Sequence, residues 1–271
     1  MLKTMKSPKE HALDRLLVKK LTGKPLDAAR WLLADPEVQA LQDYANTVSI
    51  VRLNFNDHGP VHMRVVTLNA LHMAELLTDA GIPLSIEKEG VGSREDGLVA
   101  VLSAAFLHDI GMSIGREDHE KHSLMLAFPI LDRMLATLYP VTAMPIRVAV
   151  RSLALEGIIG HMAHTKIHSM EAGLIPIADG CDMAKGRARI PMMLNEDPRA
   201  GDIHRYSAAA VESVTIEKGK ERPIRIHVQM AQSVGFFQVE EVLLPKINIS
   251  PVRPLIELVA QVREEKSRQY V

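Results

Sequence analysis

The stretch Leu102-Ser-Ala-Ala-Phe-Leu-His-Asp-Ile-Gly111 decides how this chain folds. From about Gly97 to Leu107 the sequence is apolar nearly all round, so a helix there has no face to give to water and belongs at the centre of a helical assembly. The end of that helix delivers His108 and Asp109. An ionised carboxylate beside a core needs a strong partner, and a metal ion is one of the few strong enough. A bound divalent cation is therefore the first expectation.

The flanking sequence supplies helices to surround that centre. Asp35-Pro36 is a start signal, a capping side chain followed by a residue suited to the first helical position, and Val38, Leu41, Tyr44, Ala45, Val48 and Val51 follow at helical spacing. Asn56-Asp57-His58-Gly59-Pro60 breaks that helix, and a second starts at about Val61 and stops at Ala80-Gly-Ile-Pro83. Glu87 to Asp96 is polar and contains glycine, which predicts a loop or insertion. Further helices are predicted over about Asp118 to Tyr139, with a kink at Pro129, over Ile146 to His161, and over Met170 to Lys185.

Near residue 210 the period changes from helical to alternating. Val214-Thr-Ile-Glu and Ile224-Arg-Ile-His-Val-Gln-Met230 read as strands, with a hairpin at Lys218-Gly219-Lys220. Phe236 to Ile247 reads as a helix despite Pro245, and Leu255 to Val262 as a last strand. The predicted fold class is mainly α: a helical bundle over residues 1–205 and a small α+β unit over 206–271.

Composition narrows the function. The 271 residues suffice for a full core, and at 47% hydrophobic the chain is not a disordered one. Net charge is −1, so no global field draws it to nucleic acid or a membrane, and no basic stretch with interleaved aromatics appears. Cys181 is the single cysteine, which excludes an internal disulfide and suggests a reducing cytoplasm. The N-terminus lacks the apolar segment of a signal peptide, and no uncharged stretch approaches the length of a membrane span. Histidines number 12 against ten aromatics (five Phe, four Tyr, one Trp), a balance that fits metal chemistry better than aromatic stacking.

The metal-competent candidates are His62, His108, Asp109, His119, His122, His161, His164, Asp179 and Asp182. Imidazole with carboxylate suits Mn, Fe, Zn, Co or Ni better than Ca. One carboxylate can bridge two ions, and Asp109 is best placed to do so. Two ions can deprotonate one water and steady a phosphoryl centre. Lone histidines are more often structural, and His11, His72, His168, His204 and His227 are read that way. Asp182 can be read as a helix-face charge, Asp57 as a turn residue and His164 as solvated loop.

The ordered set His62, His108-Asp109 and Asp179 resembles the HD superfamily of metal-dependent phosphohydrolases. It sits in the strings Asp57-His-Gly-Pro-Val-His62, Ala105-Phe-Leu-His-Asp-Ile-Gly111 and Ile177-Ala-Asp-Gly-Cys-Asp182. The resemblance covers about residues 40–190, and the C-terminal part is similar to an archaeal-type group of predicted HD phosphohydrolases. It implies an HD-domain helical bundle. It also implies one or two divalent ions, with Asp109 bridging, His62, His108 and Asp179 on one ion, and His122 and His161 on the other. It selects Asp179 over Asp182, prefers His122 to His119, and leaves His58 as an extra ligand or a hydrogen-bonded support to one.

His108 and Asp109 would carry the chemistry: a metal-activated hydroxide cleaving a phosphoester of a nucleotide or small phosphorylated metabolite. Lys185, Arg187 and Arg189 are candidate phosphate binders, or else cap a helix C-terminus. Arg64 follows the first His by two residues where the family often places Arg at three, so its role is not carried over. The His-His pair and Gly-Tyr-Pro string of the cyclic-dinucleotide branch are missing. The same ligands would serve a di-iron oxygenase. A metal-binding regulatory module is the third reading, with the C-terminal unit as a sensor or as the dimer surface of a homo-oligomer.

Overall fold

In the computed structural model, which describes residues 6–183, 203–263 and 267–271, helices begin where their caps are. Ser7 and Glu10 form a reciprocal capping box and Pro8 opens α1 (Pro8–Lys20). After α2 (Gly23–Ala34), the Asp35 carboxylate accepts from the Val38 N–H and starts α3 (Pro36–Thr47), at the predicted place. The helix does not run on unchanged to Val51: Val48–Arg52 forms a π turn. Gly59-Pro60 then opens α4 (Pro60–Asp79). A Cβ on Gly59 would lie 2.4 Å from Cβ of Asn46, so only glycine lets α4 begin this close to α3.

Two short features depart from expectation. A single-turn helix, α5 (Ser85–Lys88), overlaps the start of the stretch predicted as loop. The buried Glu171 carboxylate accepts from the N–H groups of Ser85 and Ile86 at 3.0 Å each. The central helix α6 (Arg94–Leu107) starts earlier than the apolar pattern, because Ser93 and Asp96 form a capping box ahead of it. Every residue from Val99 to Leu107 is buried. Among the described residues, Arg94–Ser113 is the one helical stretch long and apolar enough to cross a membrane, and 89% of its most apolar 18-residue window lies inside the protein.

Around α6 stand α4, α7 (His119–Leu138), α8 (Met144–Gly160) and α9 (Met170–Cys181), with α2 against it as well. Pro129 lies within α7, and α9 stops at Cys181, short of the predicted Lys185. Behind α4 the fully buried Arg64 guanidinium binds Asp14, Gln42, Gln39 and the Pro60 carbonyl, which ties α1, α3 and α4 together.

The C-terminal part opens with α10 (Ile203–Ala210), followed by the antiparallel hairpin β1 (Val211–Lys218) and β2 (Ile224–Met230). On β2, Ile224, Ile226, Val228 and Met230 turn one face to the core. The predicted helix over 236–247 is a π turn, Gln238–Leu243, running into α11 (Leu244–Asn248), with Pro245 in its first turn. This segment crosses over to β3 (Ile256–Val262), which pairs in parallel with β2. β3 is not the last strand, because β4 (Arg268–Gln269) adds an antiparallel edge and gives the order β1-β2-β3-β4. The fold is thus mainly helical with a small C-terminal α+β unit, and one buried apolar cluster runs through both from Leu17 to Val262.

Candidate metal centre

Five elements bring the site together. His62 stands in the first turn of α4, His108 and Asp109 follow α6, His119 begins α7, and His161 follows α8. Asp179 comes from the last turn of α9. All six side chains are buried.

Asp109 lies between two sets of imidazoles. Its Oδ2 is 3.2 Å from Nε2 of His62 and 3.4 Å from Nε2 of His108. Its Oδ1 is 3.2 Å from Nε2 of His119 and 3.3 Å from Nε2 of His161. Asp179 joins the first set, with Oδ1 3.2 Å from His62 Nε2 and 3.8 Å from His108 Nε2. The groups His62–His108–Asp109 and Asp109–His119–His161 could each hold a metal ion.

The hydrogen bonds set the tautomers. Nδ1 of His108, His119 and His161 donates to the carbonyls of Ala105, Arg116 and Ile158 at 2.8, 2.9 and 2.6 Å. A carbonyl only accepts, so Nδ1 carries the hydrogen and a neutral ring turns a lone pair at Nε2 into the site. Nδ1 of His62 meets the Asp182 carboxylate at 2.6 Å, a charged partner that fixes the orientation of this ring. The facing Nε2 atoms lie 3.2 Å apart in the His62–His108 pair and 3.1 Å apart in the His119–His161 pair. Lone pairs at that distance repel unless a cation lies with them. The buried Asp109 Oδ2 also has no hydrogen-bond partner among the described residues. Donor type, convergence and this orphaned oxygen all fit a transition-metal cation.

The charges agree. Burial pushes Asp109 up, but the imidazoles of His108, His119 and His161 outweigh it and hold the carboxyl well below its usual range. For Asp179, burial is outweighed by the Lys246 ammonium and by His108 and His62, again to well below the usual range. Burial brings His161 down to about 4. At His108 burial acts in the same sense, but Asp109 and Asp179 outweigh it and raise the ring.

The second group contains His119 and not His122, which corrects the sequence expectation. Gly111 explains the choice. A Cβ there would lie 2.1 Å from the His119 carbonyl oxygen and 2.4 Å from the Ser123 nitrogen. The bare glycine lets the 3-10 turn Ile110–Ser113 rest on the first turn of α7, and its N–H donates to Ser123 Oγ at 2.8 Å. That contact seats the first turn of α7, from which His119 meets Asp109, while His122 belongs to neither group and its buried Nδ1 meets no hydrogen-bond partner among the described residues.

His58 is in neither group. Its Nδ1 meets Ser49 Oγ at 2.9 Å and the Asn56 carbonyl at 2.6 Å, and its ring stands edge-on to His62. Asp57 closes a turn onto the Gly59 N–H, and His164 is on an exposed loop. Asp182, read as a surface charge, is instead the support of His62. The candidate phosphate binders Lys185, Arg187 and Arg189 lie outside the described residues.

The site opens into a cavity of about 630 Å³. Asp109, His119, His161 and Asp179 line its floor, Phe55 and Arg116 one wall, and Gln238 and Lys246 another. Lys246 forms an ion pair with Asp179 Oδ2. The last wall belongs to the C-terminal unit, which nothing in the sequence pattern had tied to the site.

A mainly helical protein with a buried His/Asp cluster at the end of its central helix is the class that fold and site define. The chain is 37% identical over 246 residues to uncharacterized protein MJ1020 of Methanocaldococcus jannaschii, an alignment covering 91% of this chain and 92% of that protein. It belongs to the same family as MJ1020. No family profile matches the chain, and no solved structure matches it.

Proposed function

We propose that the protein is a metal-dependent phosphohydrolase of the HD type, holding two divalent cations that share Asp109. The observation carrying this reading is the division of Asp109, with Oδ2 toward His62 and His108 and Oδ1 toward His119 and His161. Cations held by these residues would supply an acidified water near neutral pH and a clamp on phosphoryl oxygens.

The protein's own part is positioning. Carbonyls and the Asp182 carboxylate fix the four rings, so no donor has to reorganise during reaction. The cavity is of a size to take a small metabolite. Phe55 is the one Phe, Tyr or Trp on its described wall, which favours a small phosphorylated compound over a base-stacked nucleotide.

The test is elemental analysis of protein purified without chelator, paired with a panel of phosphomonoesters and phosphodiesters supplied with Mn, with and without O₂. Bound transition metal and oxygen-independent release of phosphate are expected. Turnover that requires O₂ would refute the reading in favour of the oxygenase, and metal without turnover on any phosphoester would leave a binding module.

A further inference from the structure

Lys246 reaches the site from outside the helical bundle. It rides on α11, in the crossover between β2 and β3. It can reach Asp179 because α9 lacks side-chain bulk where the crossover lies on it. A Cβ on Gly180 would fall 2.9 Å from Leu243 Cδ1 and 3.4 Å from Lys246 Cδ, and one on Gly173 would fall 2.6 Å from Ser250 Oγ. The Ser250 hydroxyl donates to the Gly173 carbonyl at 2.8 Å and fixes the far end of the contact.

The lysine is only 8% exposed, an unusual place for an ammonium. Asp179 neutralises it through Oδ2, while Oδ1 of the same carboxylate faces His62. An ammonium has three hydrogens. Asp179 takes one, Lys246 makes no other hydrogen bond among the described residues, and its side chain lines the cavity. Arg116 is the other Lys or Arg on the described wall, beside His119, whose Nδ1 hydrogen its carbonyl accepts. The acidic residue on that wall outside the cluster around the histidines is the exposed Glu241.

We propose that Lys246 binds an anionic oxygen of the substrate's phosphoryl group, so that the C-terminal unit completes the substrate site. The inference rests on the phosphohydrolase reading and sharpens it. A terminal phosphoryl group carries about two negative charges near neutral pH, whereas a diester carries one, so the Lys246 ammonium beside Asp179 and a second cation, Arg116, on the same cavity wall favour a monoester.

The experiment titrates inorganic phosphate into the Mn-loaded full chain by calorimetry, for the wild type, Lys246→Gln and Lys246→Arg, with metal content measured on each. Loss of one charge-assisted hydrogen bond predicts that Lys246→Gln weakens phosphate about 10- to 100-fold. Metal content should be unchanged and Lys246→Arg should fall between. Lys246→Met, which keeps the buried stem, carries the same expectation should the glutamine variant not fold. Phosphate bound equally by wild type and Lys246→Gln overturns this inference alone. Metal lost from Lys246→Gln also overturns it, because Lys246 would then act by holding Asp179. A Mn-loaded wild type that binds no phosphate removes the phosphohydrolase reading and this inference with it.

Discussion

Replacing His119 by alanine separates the two halves of the proposed centre. The group around Asp109 Oδ1 has three protein donors, with His119 Nε2 and His161 Nε2 at 3.2 and 3.3 Å from the carboxylate oxygen. The variant keeps two, while His62, His108, Asp109 and Asp179 are untouched. Losing a residue that only supports a ligand weakens metal about 10–100-fold, and losing a ligand should do more. Dialysed His119→Ala should therefore hold one ion fewer per chain than wild type by elemental analysis.

The same change is visible in stability. An ion at 100 times its dissociation constant contributes about 2.7 kcal/mol, which for a chain of this size is a Tm increment of roughly 5–10 °C. That increment on adding Mn should shrink in His119→Ala. His122→Ala should keep both the metal and the increment. The reverse pattern, with metal lost from His122→Ala and kept in His119→Ala, would refute the geometry.

Three further outcomes are expected. Asp182→Asn should weaken metal about 10–100-fold without unfolding the chain, since it removes the charge that fixes His62; metal titration measures it. Arg64→Ala should lose about 3–5 kcal/mol in urea denaturation, because it empties a buried site, takes the donor from the Gln42 and Gln39 side-chain oxygens and leaves Asp14 with Lys6 alone, and Arg64→Lys should restore only part. Asp96 is pushed up by burial but held below its ordinary value by Ser93, Lys24 and Tyr139. A folded-state pKa below the unfolded value means stability present above about pH 4 and lost as pH falls through the lower folded value. The deficit of Asp96→Asn, about 1–3 kcal/mol at neutral pH, should therefore shrink as pH falls below about 4 in denaturant melts.

Much of this was legible locally. The unbroken apolar run before His108 could only be a central helix, and caps such as Asp35-Pro36 marked where its neighbours start. Which residues gather was legible from order along the chain for His62, His108, Asp109, His161 and Asp179. The choice between His119 and His122 was not. They are one turn apart on α7, and what separates them is the contact of Gly111 with Ser123, a tertiary feature. Asp182 escaped because its spacing from Asp179 also suits a solvated helix face. Lys246 escaped because nothing near residue 246 says that its helix lies across the glycines of α9. The parallel pairing of β3 with β2 was hidden for a similar reason: alternation gives a strand its faces but not its neighbour.

The fixed rings also bear on which element the protein carries in a cell. Four imidazoles already turned inward would offer their nitrogens to an ion without rearranging. For nitrogen and oxygen donors, first-row affinities rise toward copper whatever the biological need. If the site holds metal as proposed, occupancy would be governed by supply and the species recovered from a preparation would track the growth medium, so that reconstitution from a stripped state would be the reference for any comparison of metal-dependent properties.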